Sequence, residues 1–182
     1  MGFLRVVTLS CCVLLTVLVS NRVEGAECYL EVVEDCTTNE EDRLVDVRNL
    51  TVGFLEGGKW AILGTAEINL PRITLTKIEL TKCASKQEPE TCTYFSTVKY
   101  KDTCKMLEAK GEMWSTFAQN AEPPLTCPMK GLYNFEKSAF DGDAAGRAMP
   151  GLEGFYWKTK TFTYVGKKVV SCLILEFSTS KS

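Results

Sequence analysis

Cysteine and carboxylate are the side chains through which this sequence has chemistry to offer, because it contains no histidine at all. That absence excludes Ser-His-Asp and Cys-His nucleophilic centres and every histidine-ligated zinc site. Of nine cysteines, seven stand downstream of residue 25: Cys28, Cys36, Cys83, Cys92, Cys104, Cys127 and Cys172. No two of them form a C-x-x-C pair, so a thiolate metal site is disfavoured and structural bridges are the first reading. An odd number leaves at least one thiol over, whose fate is a free buried group or a bond to another chain. A glycosidase needs two carboxylates flanking its bond, and Glu34-Asp35, Glu40-Glu41-Asp42 and Asp141-x-Asp143 supply pairs. Their positions among turn residues and strand ends mark them as solvated charges. Asp141-Gly142-Asp143 opens like a calcium loop but lacks the later Glu that completes the ligand set. No enzyme activity, metal or other cofactor is therefore expected.

The bridges require an oxidising compartment, and the N-terminus offers a route to one. Met1–Arg5 carries a positive charge, and Val6–Val19 is an apolar run broken only by Thr8, Ser10 and Thr16. This is the plan of a signal peptide, too short for a bilayer-spanning helix of roughly 20 residues. Cleavage is expected after Gly25, taking Cys11 and Cys12 with residues 1–25 and leaving one domain over residues 26–182. Secretion is the expected fate, with the lysosomal lumen as the other destination of the same signal. Asn49-Leu50-Thr51 is an N-glycosylation sequon, which predicts an exposed Asn49. With 21 basic and 23 acidic residues the formal net charge is -2. The basic residues are spread along the chain, which argues against nucleic acid as a partner.

The hydrophobic pattern is mostly of period two and predicts strands. Along Lys59–Leu70, Trp60, Ile62, Gly64, Ala66 and Ile68 share one face. Arg72–Lys82 alternates too, but its apolar set shifts from Ile73 and Leu75 to Ile78 and Leu80, which predicts a bulge near Thr76. Gly154–Val165 and Lys168–Ser178, joined by Gly166-Lys167, predict a hairpin. Cys28–Asp35, Leu44–Leu55 and Leu132–Lys137 are further strands, and Lys101–Lys110 and Glu112–Gln119 favour helix until Pro123-Pro124. The expected architecture is all-β: a β-sandwich or β-cup with a short helical insertion, its two sheets enclosing an apolar interior that is either packed or hollow.

Five elements of the C-terminal third occur in an order that resembles a known family. They are Cys127-Pro128-Met129-Lys130-Gly131-Leu132-Tyr133, Lys137-Ser138-Ala139-Phe140, Met149-Pro150-Gly151, Gly154-Phe155-Tyr156 and Gly166-Lys167-Lys168-Val169-Val170-Ser171-Cys172. Together with Cys83, Cys92 and Cys104 upstream, they resemble the GM2-ganglioside activator and the related insect contact-chemosensory proteins of the B type. The resemblance implies a β-cup whose hydrophobic cavity carries a lipid or other apolar small molecule without catalysis. It covers sphingolipid-activator-like lipid transfer as well as pheromone-type binding in chemosensation, with a membrane surface, a hydrolase or a receptor as the further partner. It also implies the pairs Cys36–Cys172, Cys83–Cys92 and Cys104–Cys127, leaving Cys28 unpaired. Strand phase and position beside the loops nominate Trp60, Ile62, Ile73, Leu75, Phe155, Trp157, Leu173 and Leu175 as the cavity wall. Met113, Trp114, Phe117 and Phe140 are expected near its mouth. The competing expectation is a secreted interaction module whose filled sandwich binds a protein partner.

Overall fold

The computed structural model describes residues 26–55, 60–141, 144 and 151–181; the expected signal peptide, residues 1–25, lies outside them, as do Asp143, Met149 and Pro150. The fold is all-β and antiparallel, and its described elements follow in chain order as β1 (Ala26–Asp35), β2 (Val45–Phe54), β3 (Trp60–Leu70), β4 (Leu75–Cys83), β5 (Thr93–Lys101), α1 (Thr103–Glu108), α2 (Ser115–Asn120), β6 (Met129–Asn134), β7 (Ser138–Ala139), β8 (Tyr156–Val165) and β9 (Lys168–Lys181). One sheet has the order β1-β9-β8-β4-β5, and the other runs β2-β3-β6 with β7 paired to the far end of β3.

The β8–β9 hairpin forms as its sequence predicts. Val165 pairs with Lys168 across Gly166-Lys167, and Gly166 takes the left-handed φ of 64° that a two-residue turn requires. On β3 the even-numbered face is the buried one: Ile62, Ala66, Ile68 and Leu70 all enter the main apolar cluster. Both helices are shorter than the helical pattern suggests, six residues each, and Gly111, with its left-handed φ of 76°, lies in the break between them.

The expected bulge near Thr76 is not where the irregularity lies. Strand β4 pairs with β8 without interruption from Leu75 to Cys83, and the register slips instead against β5, where Leu80 faces Ser96 and Thr81 faces Tyr94. Phe95 is thus the extra residue, and the bulge turns its ring onto Trp157, with centroids 5.1 Å apart. The apparent phase change has another cause: Ile73 precedes the strand and drops into the main cluster from a non-strand segment.

Between the sheets the main cluster gathers Leu30 of β1, Val45, Val47 and Leu50 of β2, the buried face of β3, and Tyr133 of β6 with Phe135 just beyond it. A smaller cluster of Leu80, Leu152 and the fully buried Trp157 lies at the other end. Trp157 is fixed by an indole N–H donated to the Leu152 carbonyl at 2.9 Å. Three disulfides, Cys36–Cys172, Cys83–Cys92 and Cys104–Cys127, join the pairs that the resemblance implies. No helix among the described residues is long and apolar enough to cross a membrane.

Cys28 is unbonded. It sits on β1 opposite Thr179, where desolvation pushes its thiol from 9.0 up to about 11. A raised value means that the neutral thiol favours the fold below the unfolded value, and this contribution is lost as pH rises from 9.0 through about 11. Since the thiolate is the nucleophile, iodoacetamide at pH 8 is expected to label Cys28 about a hundredfold more slowly in the folded protein than in urea. Equal rates in the two states would show that β1 does not shield it.

Candidate functional site

The two sheets are not covered equally. They approach most closely where β1 faces β2 and β3 and where β9 faces β2, and β8, β4 and β5 form the far side, splayed in the sense that its inner face is incompletely covered. The inner face of that side follows from the register. Thr159, Thr161 and Thr163 of β8 lie beside Leu175, Leu173 and Ser171 of β9 and beside Leu80, Ile78 and Thr76 of β4, with Val98 and Tyr100 of β5 beyond. In a filled sandwich such residues are nearly fully buried. Here Thr161, Thr163, Ile78, Val98, Tyr100, Leu173, Leu175 and Phe177 are all only half-buried.

The connection from β5 to β6 crosses this splayed side. Strand β5 belongs to the larger sheet and β6 to the smaller, and the Cys104–Cys127 bond ties their ends together with Cα atoms 5.6 Å apart. A buried hydroxyl bond from Thr103 to Thr76, at 2.9 Å, fixes the start of α1 on β4. Beyond it, Trp114 donates its indole N–H to the Met106 carbonyl at 2.7 Å and meets the Tyr100 ring edge to face at 5.6 Å. Burial, helped by the charge of Glu112, raises the Tyr100 phenol above its ordinary range, so it stays neutral as an apolar wall. On α2, Phe117 stacks on Phe135 at 5.3 Å and on Phe140 at 4.8 Å. The result is an aromatic flank of Trp114, Tyr100, Phe117, Phe135 and Phe140 along the open side.

Of the residues nominated from sequence, Trp60, Ile62, Ile73, Phe117, Phe140, Leu173 and Leu175 meet around the main cluster. Phe155 and Trp157 belong to the smaller one. Trp157 is 0% exposed, which makes it packed core with no surface left for a ligand. Met113 and Trp114 are half-buried on the crossing segment, and the Met113 carbonyl accepts the Asp141 amide at 3.0 Å. Leu75 falls elsewhere: its register places it on the face of Lys77 and Glu79, opposite the Thr76, Ile78 and Leu80 face. The choice of face fails there because Leu75 was phased with Ile73, which is not in the strand. Asn49 is exposed on β2, an edge strand of its sheet.

Sequence reasoning did not nominate Phe177, Val98, Tyr100, Phe135 or Ser138. Phe177 lies on the same strand phase as Leu173 and Leu175 and was within reach of that signal, whereas Val98 and Tyr100 lie on β5, where no strand was expected. Ser138 opens a two-residue strand that is too short to show a period, and Phe135 lies in the turn before it.

One or more carboxylates of each pair have structural duties. Arg43 pairs with Asp35 and Glu40, Lys168 bonds Asp42 at 2.8 Å, and Asp141 accepts the Ala144 amide at 3.0 Å. Among the described residues no three His, Cys, Asp or Glu side chains converge as a cation site. A depression of about 330 Å³ between β1 and β2 is lined by Val33, Glu34, Asp35, Val47, Arg48 and Leu50. Half of that lining is charged, so it does not suit an apolar chain. Comparison with known families finds no matching family model, and comparison with curated proteins finds no significant match.

Proposed function

We propose that this protein is a secreted, non-enzymatic carrier that encloses the apolar part of a lipid or similar small molecule between its two sheets. It would act in the manner of the GM2-activator and B-type chemosensory proteins that its C-terminal third resembles. One observation carries the reading: on the splayed side, apolar inner-face residues such as Ile78, Val98, Leu173, Leu175 and Phe177 pack against the two clusters yet keep accessible surface. Water solvates an acyl chain poorly, and each methylene moved into an apolar interior gains about 0.8 kcal/mol. Half-buried leucine and phenylalanine recover the same kind of energy when a chain covers them.

The test is a titration of delipidated protein with a fluorescent fatty acid or sterol, for which saturable binding is expected. Leu175→Trp fills part of the splayed side. Displacing two methylenes costs the ligand about 1.6 kcal/mol, so affinity should fall about 15-fold. No binding across several lipid classes would sink the carrier.

A second reading has its own observation. Strand β5 is a sheet edge, and Tyr94 and Phe95 on it are 69% and 53% exposed, a combination that suits a protein partner. In that case Tyr94→Ser with Phe95→Ser abolishes partner capture and leaves lipid titrations unchanged.

A further inference from the structure

Among the described residues, two buried hydrogen-bonding side-chain groups have no partner: the indole nitrogen of Trp60 and the hydroxyl of Ser138. Ser138 is 0% exposed, and it pairs with Ile62 across β3 and β7, as Ala139 does with Ala61. Continuing that register by one step sets Phe140 beside Trp60. Trp60 and Ser138 are therefore diagonal neighbours on one face, the face on which Ile62 enters the main cluster. Buried polar side chains are nearly always bonded, and an orphaned one calls for an explanation. Alanine at 138 would occupy the same place without the penalty of a dry, unpaired hydroxyl.

An indole N–H can only donate, whereas a serine hydroxyl donates or accepts. The group that satisfies both is thus an oxygen acceptor brought in from outside the chain. A carboxylate is disfavoured, because the buried polar residues described are all Thr and Ser, with no Lys or Arg to neutralise it. We propose that the inner face of β3 and β7 is a subsite for a neutral carbonyl or ester oxygen on an otherwise apolar ligand, bonded by Trp60 Nε1 and Ser138 Oγ. The inference rests on the carrier reading and adds to it: the ligand class is oxygenated, and its polar group lies within the cup, against the stack of Phe117, Phe135 and Phe140.

The experiment compares a long-chain ketone with the alkane of equal carbon number, each displacing a fluorescent fatty-acid probe from wild type, Ser138→Ala and Trp60→Phe. Both substitutions should weaken the ketone about 3- to 10-fold more than they weaken the alkane, the range of one neutral hydrogen bond. The melting midpoint of ligand-free Ser138→Ala should equal or exceed that of wild type, which separates loss of the bond from loss of the fold. Ketone and alkane affinities that move together in both variants would overturn the subsite while leaving the carrier standing. If the probe itself does not bind wild type, the carrier reading falls and the subsite falls with it; if the probe binds but the ketone does not displace it, the subsite alone falls.

Discussion

Gly64→Ala is expected to cost about 4 kcal/mol or more, enough to leave this domain largely unfolded at 37 °C. Gly64 has φ +113°, and a Cβ there would overlap the Asn49 carbonyl oxygen and lie 3.2 Å from its carbon. Both obstacles are backbone atoms, so no side-chain rotation relieves them. The geometry is forced by β2, whose register against β3 slips between Asp46 and Asn49. The inserted residue pushes the Asn49 peptide toward β3, and only a residue without a Cβ lets the strands stay paired. The Gly64 carbonyl also accepts the Phe135 amide at 2.9 Å, so displacement at this point reaches the turn that leads to Ser138.

Gly131→Ala is the control. Its φ is +107°, yet nothing lies within 4 Å of where the Cβ would be. It therefore suffers backbone strain alone, about 1–3 kcal/mol. Urea unfolding of the two variants separates strain from collision. Equal losses would mean that β2 gives way at Asn49 more easily than its pairing suggests.

How much of this was legible in the sequence depends on whether a residue's role is set by its own strand or by a distant one. The β8–β9 hairpin could be read because Gly166-Lys167 and the flanking aromatic and β-branched residues are local signals. The buried face of β3 could be read because a period of two persists through 11 residues. The bulge could not be placed, because its extra residue, Phe95, is defined only by what β4 presents opposite it. Leu75 shows the same limit at a strand end, where one residue of uncertainty exchanges the two faces. Trp157 was correctly read as inward, but whether an inward residue is sealed or lines a hollow depends on how far apart the sheets stand. The sheets approach where β1 contacts β2 and β3, away from Trp157 on β8. Alternation along one strand carries no record of that spacing.

A splayed sandwich forgoes part of the close packing that stabilises a filled one, since half-buried residues keep solvent contact and lose dispersion partners. The remaining contacts are concentrated along β1, β9, β2 and β3. Cross-links that confine the unfolded chain make up for what packing does not supply, and they do so without occupying the interior. The three bonds differ widely in the loops they close, with sequence separations of 136, 23 and 9 residues.

Cys36→Ala with Cys172→Ala is accordingly expected to cost about 5 kcal/mol, against about 3.4 for the 104–127 pair and about 2.7 for the 83–92 pair in the chain-entropy relation. The first bond joins the loop after β1 to β9, and its neighbours reinforce it: Cys36 donates its amide to the Cys172 carbonyl at 3.0 Å, and the Cys172 amide donates to Thr37 Oγ1 at 3.0 Å. These hydrogen bonds survive in the double variant, so the loss measured is mainly that of the cross-link. Alanine is the right replacement because Cys172 is 2% exposed and a serine hydroxyl there would need a partner. Equilibrium urea unfolding of the three double variants should rank them by loop length. A greater loss for the 104–127 pair than for the 36–172 pair would point to the 104–127 bond, which ties β5 to β6 across the splayed side, as the one that holds the sheets in place. In that event removing it should also weaken ligand binding, while removing Cys36–Cys172 should leave the affinity of the remaining folded molecules unchanged.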